Sequence, residues 1–136
     1  MKQTISLSKT ALEAIRRQLM QFGEASPGIQ LAVLSTADGF EIASFLAPGA
    51  DAVAARVAAM TSSLTAIGDA ITRETGLHGS RNLIIESDNG IVLMVSLRDA
   101  KPKMALAIVA NKQAILGHLL WATRNTGAAI ERIATT

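Results

Sequence analysis

Cysteine is absent from this 136-residue sequence, and aromatic residues make up only 3% of it. Without cysteine there is no disulfide framework and no thiolate chemistry, which fits a reducing compartment such as the cytoplasm. With so few aromatic residues, a core must be built from aliphatic side chains. Charge is also scarce, since 18% of the residues are charged and 49% are hydrophobic. This composition is too apolar for a disordered chain, and part of the apolar surface is expected to contact another chain.

Long apolar runs and strongly basic segments are missing as well. No run approaches the roughly 18 consecutive apolar residues of a membrane span, and Met1–Ser6 lacks the apolar segment of a signal peptide. The net charge is only +2. The local basic pairs, Arg16–Arg17 and Lys101–Lys103, have no aromatic residue beside them on which a base could stack. We therefore expect a cytoplasmic protein with no membrane span and no nucleic-acid partner.

Sequence motifs for catalysis and for cofactors are also missing. There is no phosphate-binding loop of the Gly-x-x-x-x-Gly-Lys-Ser/Thr kind and no Gly-x-Ser-x-Gly elbow. The histidines His78 and His118 are isolated, with no spacing typical of zinc ligands. The glycine-rich segment Gly76–Arg81 is interpreted as a connecting loop whose polar tips, His78 and Arg81, are candidates for a partner surface. No cofactor, metal site or enzymatic activity is predicted.

The pattern of apolar residues and turns predicts helix, hairpin, helix, three-stranded meander, helix. Helices are predicted at about Thr10–Phe22, at about Asp51–Thr75 and from near Asn111 onward, and strands at Ile29–Leu34, Phe40–Phe45, Asn82–Ser87, Ile91–Leu97 and Lys103–Val109. Asp38–Gly39 and Asn89–Gly90 indicate hairpin turns, and consecutive hairpins imply an antiparallel sheet. Central strands that are apolar on both faces require helices on both faces, so the predicted class is α+β with three α/β/α layers.

The termini of the predicted helices carry capping signals. Either Thr10 or Ser8 can cap the first helix. Asp51 is placed in the first turn of the second helix, where a negative charge suits the helix dipole, and Gly76 is placed where that helix stops. Asn111 is the predicted N-cap of the last helix.

The second helix is the most informative segment. Its large apolar residues recur at alternating spacings of four and three, as in a heptad repeat: Val53, Val57, Met60, Leu64, Ile67 and Ile71. Its flanks are small, with Ala59 and Ser63 among them, although a helix that covers one face of a monomer normally has a charged outer face. These residues are therefore predicted to form a homodimer interface, but the sequence leaves open which side faces the sheet. The predicted edge strand is expected to add Leu83 and Ile85 to the same interface.

Three further residues carry open alternatives. Gly68 lies inside the second helix, where it is either merely tolerated or, as we favour, allows a neighbouring backbone to approach closely. Trp121, the sole tryptophan, either caps the core between the terminal helices or marks an exposed partner patch. Arg56 is expected to pair or to extend along the helix layer, not to act as an arginine finger.

This order of elements resembles the Roadblock (dynein light-chain, LC7-type) family over roughly Leu7 to Ile133. The matching segments are Gly28–Leu34 with Asp38–Gly39, the alanine-rich second helix, Leu83–Glu86, Gly90–Leu97 and Val109–Asn111. The resemblance implies a five-stranded antiparallel sheet in the order 2-1-5-4-3, with the second helix on one face and the terminal helices on the other. It also implies homodimers in which the second helices pack together and the third strands pair edge to edge.

The resemblance further implies a function. Bacterial members commonly partner a Ras-like small GTPase, and some stimulate GTP hydrolysis. We therefore expect residues 1–136 to form a single Roadblock-like domain that acts as a homodimeric regulator or scaffold for such a GTPase. The alternative is a small-molecule or signal-sensing domain with a related profilin- or PAS-like arrangement of sheet and helices, although the aliphatic strands offer few convergent polar groups to a ligand.

Overall fold

A computed structural model of the protein describes residues 7–135, so the predicted lack of a signal peptide at Met1–Ser6 lies outside it. The elements follow in the order α1 (Lys9–Ala25), β1 (Ile29–Thr36), β2 (Glu41–Leu46), α2 (Ala54–Glu74), β3 (Asn82–Ser87), β4 (Gly90–Leu97), β5 (Met104–Asn111) and α3 (Leu116–Thr135). The five strands form one antiparallel sheet in the order β2-β1-β5-β4-β3. The predicted fold class and strand order are confirmed.

The sheet separates two hydrophobic cores, because successive side chains of a strand point to opposite faces. Along β1, Ala32 and Leu34 belong to the larger core, which α1 and α3 cover. Leu31 and Val33 belong to the smaller core beneath α2. Both faces of the central strands are therefore buried, which explains why their sequences are apolar throughout.

At the first helix the structure selects one of the two predicted caps, and the starts of the other two helices differ from the sequence-based prediction. Ser8, not Thr10, caps α1, and its Oγ accepts a hydrogen bond from the Ala11 N–H at 3.0 Å. Asp51 lies before α2, which begins at Ala54 with no acidic residue in its first turn, so the predicted dipole contact is wrong. Asn111 ends β5, and its Oδ1 accepts from the Gln113 N–H at 2.9 Å. An asparagine side chain can close a local turn as readily as it caps a helix.

The end of α2 is as predicted. Gly76 has a φ of 78°, and the Leu77 N–H donates to the Thr72 carbonyl at 2.8 Å while the Gly76 N–H donates to the Arg73 carbonyl at 3.3 Å. These two bonds form a Schellman motif, which satisfies carbonyls that the helix leaves free. The last turn of α2 is therefore fixed, and the loop to β3 begins at a defined position.

Two hairpins have a glycine in or beside the turn, for different physical reasons. Gly39, in the β1–β2 turn, has a φ of 95°, which an L side chain rarely adopts. Gly90, after the β3–β4 turn, does not have a positive φ. A Cβ there would instead collide with the Ala110 carbonyl oxygen of β5, so glycine allows the strands to approach closely.

None of the helices described between residues 7 and 135 combines the length and the apolar character needed to cross a membrane.

Candidate dimer and partner interface

The underside of α2 packs on the sheet through small and medium-sized side chains. Ala58 and Thr61 are fully buried, and Val57 and Leu64 pack on the smaller core beside Val33. The Thr61 hydroxyl donates to the Val57 carbonyl at 2.7 Å, so its burial leaves no polar group unsatisfied. Two of the predicted dimer residues, Val57 and Leu64, therefore contact the protein's own sheet.

One flank of α2 is tied to the chain by polar contacts. The Ser62 hydroxyl donates to the Ala37 carbonyl in the β1–β2 turn at 2.7 Å. Seven residues further on, the Asp69 Oδ1 accepts from the Ser80 N–H at 3.4 Å in the loop before β3. Residues seven apart lie on the same side of a helix, so these bonds fix the rotation of α2 about its own axis.

The opposite flank of α2 exposes large apolar side chains. Met60, Ile67 and Ile71 are 57%, 54% and 58% exposed, and Val53 at the N-cap is about equally so. Met60 lies two residues from Ser62, which turns its side chain by about 200° to the far side of the helix. The heptad pattern is thus divided, because Val57 and Leu64 face the sheet while the other four residues face outward.

Small residues form the ridge of α2 between these two flanks. The exposed ridge consists of Ala59, Ser63, Ala66 and Ala70. From Val57 to Thr72 the only ionisable residue is Asp69, which is half-buried and bonded to Ser80. We call the ridge, together with Val53, Met60, Ile67 and Ile71, the outer surface of α2. This surface is exposed over about four turns, and from Val57 to Thr72 it carries no exposed charge. The exposed Arg56 lies on it near its N-terminal end, between Val53 and Met60, and has no ion pair within 4.0 Å among the described residues.

Strand β3 lies at the edge of the sheet beside this surface. Leu83 is partly buried in the core beneath α2, whereas Ile85 on the same face and Ile84 on the opposite face are exposed. A Cβ on Gly68 would lie 3.2 Å from both Leu83 Cδ1 and Ser80 Oγ. Gly68 therefore accommodates two side chains and not a neighbouring backbone, so the favoured prediction for it is wrong.

The free edge of β3 presents backbone groups from alternate residues. The Ser96 N–H donates to the Arg81 carbonyl at 3.1 Å, which sets the alternation of the β3–β4 ladder. In an antiparallel ladder, residues whose backbone groups bond to one neighbour alternate with residues whose groups point away. The N–H and C=O groups of Asn82, Ile84 and Glu86 therefore point toward the open edge.

Arginines line a cleft between this edge and α3. Arg81, Arg98 and Arg124 are all exposed there, beside the exposed Asp99 and the partly buried Glu131. With its amide oriented to satisfy both groups, Asn82 donates to the Arg81 carbonyl at 3.0 Å and accepts from Arg124 Nη2 at 3.1 Å. The other predicted partner residue, His78, is also exposed, at the tip of the α2–β3 loop. Among the described residues, none of the three arginines has an ion pair within 4.0 Å.

A separate apolar patch lies near the start of α3. Trp121 is exposed and makes an edge-to-face contact with His118, with ring centroids 6.4 Å apart. Ile115, three residues before His118, is also exposed. Trp121 therefore does not cap the core between the terminal helices. Residues 7–135 contain no group of three or more potential metal ligands.

Sequence reasoning missed Ile84, Asn82 and Arg124. Ile84 was detectable, because three consecutive apolar residues in an edge strand place one of them on the face away from Leu83 and Ile85. The contact between Asn82 and Arg124 had no local signal, since the two residues are far apart in sequence and meet only through the packing of α3 on the sheet.

Comparisons with known proteins agree with this architecture. The chain matches a solved structure described as MglB with a tetrameric arrangement (TM-score 0.86, 18% identity, 98% of this chain and 97% of that chain). It also matches the gliding protein MglB from Thermus thermophilus (TM-score 0.86, 18% identity, 98% of each chain). A Roadblock/LC7 domain from Streptomyces avermitilis is a further match (TM-score 0.77, 20% identity, 89% of this chain and 98% of that chain). At these identities the structural matches establish the fold.

A search of curated proteins by sequence finds no match. The family model for the Roadblock/LC7 domain, however, matches residues 15–110, which is more than half of the chain. The protein therefore belongs to the Roadblock/LC7 domain family.

Proposed function

We propose that this protein is a cytoplasmic homodimeric regulator, without enzymatic activity of its own, that binds a Ras-like small GTPase through a single Roadblock domain. The observation that carries the proposal is the exposed outer surface of α2, which has no exposed charge from Val57 to Thr72. A contiguous apolar surface of this kind is typical of a protein interaction site. The alternative of a small-molecule sensor has less support, because aliphatic side chains of the sheet and helices fill both cores of the described chain.

The homodimer contact is assigned to the apolar flank of α2 and the exposed part of β3. Complete burial of a side chain of this size is worth about 1.5–3 kcal/mol. Val53, Met60, Ile67 and Ile71 are already about half buried, so eight such side chains in a dimer gain roughly 6–12 kcal/mol. Association costs roughly 4–15 kcal/mol. The free energy gained by burying the flank is therefore comparable with the cost of association. Hydrogen bonds between the paired edge strands supply the remaining stabilisation.

The GTPase contact is assigned to the ridge of α2. Ala59, Ser63, Ala66 and Ala70 have short side chains, so the backbone or a flat surface of a partner can approach the helix closely. In a dimer with paired β3 edges, the two ridges lie on one face of a continuous sheet. Arg81 and His78, at the end of α2 nearest β3, supply polar contacts around this face. We propose that this contact stimulates GTP hydrolysis by the GTPase, and the rate of that hydrolysis is the activity to be measured.

The homodimer is tested by light scattering and by sedimentation at tens of micromolar protein. Met60→Asp places a charge on the apolar flank, and we expect a folded monomer. Met20→Asp is the matched control, because Met20 is about equally exposed but lies on α1. It should leave the dimer intact. A natural sequence that is monomeric at this concentration would contradict the proposal.

The GTPase contact is tested by calorimetry with a Ras-like GTPase from the same organism, loaded with a GTP analogue or with GDP. We expect binding to the GTP form, and we expect no binding of free GTP to the regulator itself. Ala66→Glu on the ridge should abolish binding while the dimer persists. Ala128→Glu, on the exposed side of α3, should leave binding unchanged. Equal affinity for both nucleotide states would argue against a GTPase regulator.

A further inference from the structure

The open edge of β3 carries two groups of opposite charge on one face. Asn82, Ile84 and Glu86 alternate along the strand and so share the face toward α3. Arg124 reaches this face from α3 and contacts the Asn82 amide at 3.1 Å. Glu86, four residues along the same strand, is exposed and has no ion pair within the described part of the chain. Positive and negative groups thus lie at the two ends of one short strand.

We propose that two copies of the chain pair along β3 in one register, in which Ile84 lies opposite the partner's Ile84 and Arg124 binds the partner's Glu86. This inference rests on the proposed homodimer and specifies its contact. Because the two strands are related by a twofold axis, the same register places Asn82 directly opposite the partner's Glu86. The arginine that already contacts Asn82 then meets the partner's carboxylate.

The backbone favours this register over its neighbours. Asn82, Ile84 and Glu86 direct their N–H and C=O groups to the edge, as the β3–β4 ladder requires. With Ile84 on the axis, all three residues take part in hydrogen-bonded pairs. A shift by two residues in either direction leaves one of them without a strand partner. It would also place Ile84 opposite Asn82 or opposite a carboxylate.

The side chains on both faces fit the same register. On the α2 face, Leu83 lies opposite the partner's Ile85, so apolar residues meet beside the outer surface of α2. On the α3 face, the two Ile84 side chains meet on the axis, with one ion pair between Arg124 and Glu86 of different chains on each side of them. Arg81 and Arg98 extend the positive cleft around Arg124. Glu131 in this cleft already accepts a hydrogen bond from the Asp99 N–H at 3.0 Å. The partner's Glu86 completes this cleft.

Charge reversal tests the proposed pair. Glu86→Arg and Arg124→Glu each bring like charges together at two symmetric sites, so each should raise the dimer Kd about 10-fold. The double variant restores opposite charges, and its Kd should return to within about threefold of the natural value. Arg132→Glu, an exposed arginine elsewhere on α3, is the control and should leave the Kd unchanged.

Single cysteines test the register directly, because the chain has none of its own. Residues at position 84 are expected to face each other across the axis, whereas two residues at 82, or two at 86, lie about 13 Å apart. Ile84→Cys should therefore cross-link fastest with a short thiol reagent, and Asn82→Cys and Glu86→Cys should be slower and similar to each other. Faster cross-linking at 82 or 86, or a double charge variant that fails to recover, would overturn the register and leave the homodimer standing. A natural sequence that stays monomeric would overturn both.

Discussion

The two faces of the sheet are covered in opposite ways. On one face, α1 and α3 bury large aliphatic side chains, and Ile15 and Ile130 are completely buried. On the other face, α2 buries Ala58 and Thr61 and turns Met60, Ile67 and Ile71 outward. A helix that only completed a monomer would gain more by burying its large residues against the sheet. The arrangement on α2 is therefore the one expected for the proposed homodimer, in which a second chain covers this surface.

The sharpest test of this contrast compares matched isoleucines on the two faces. Ile15→Ala removes a completely buried side chain and should lower the free energy of unfolding by about 2–5 kcal/mol. Ile67→Ala, at a site that is 54% exposed, should cost less than about 1 kcal/mol in dilute protein. Urea denaturation at low and high protein concentration measures both. If α2 forms the dimer, the loss for Ile67→Ala should grow with concentration, while that for Ile15→Ala should not.

The difference between the faces also shows what the sequence can predict. Turns follow from local signals, so Gly39 and Gly76 are where they were expected. The strand order was implied by the family resemblance and not by any local signal. The heptad pattern identified the apolar side of α2 but not its rotation. That rotation depends on Ser62 and Asp69, whose partners lie in distant loops.

Caps were harder to predict than turns, because the same side chains serve both purposes. Asn111 closes a turn after β5, and Asp51 lies outside the helix that it was expected to begin. The contact between Arg124 and Asn82 depends on the packing of α3 against the sheet. No pattern within either segment could have predicted it.

A second comparison uses the helix glycines that face the sheet on each side. A Cβ on Gly127 in α3 would lie 2.8 Å from Cδ2 of the buried Leu97, so Gly127→Ala should destabilise the fold by about 1–3 kcal/mol. A Cβ on Gly68 in α2 would meet the ends of the Leu83 and Ser80 side chains at 3.2 Å, near the sheet edge. Alanine is also the better helix former by about 1 kcal/mol. Gly68→Ala should therefore be close to neutral.

Thermal unfolding of both glycine variants tests this difference. Equal losses would mean that the packing under α2 is as tight as that under α3. Circular dichroism in the far ultraviolet is the suitable signal, because both substitutions lie within helices.

The smallest expected effect concerns one buried threonine on each face. Thr123 in α3 is completely buried, and its Oγ1 has no hydrogen-bond partner among residues 7–135. An unsatisfied hydroxyl is costly to bury, so Thr123→Val, which keeps the shape of the side chain, should stabilise the protein by about 1 kcal/mol. Thr61 in α2 is equally buried, but its hydroxyl donates to the Val57 carbonyl at 2.7 Å. Thr61→Val removes a satisfied bond and should give no gain. Urea denaturation of the two variants separates these outcomes when the protein concentration is well below that at which the dimer forms. A gain of equal size in both variants would show that the Thr123 hydroxyl is not the cause.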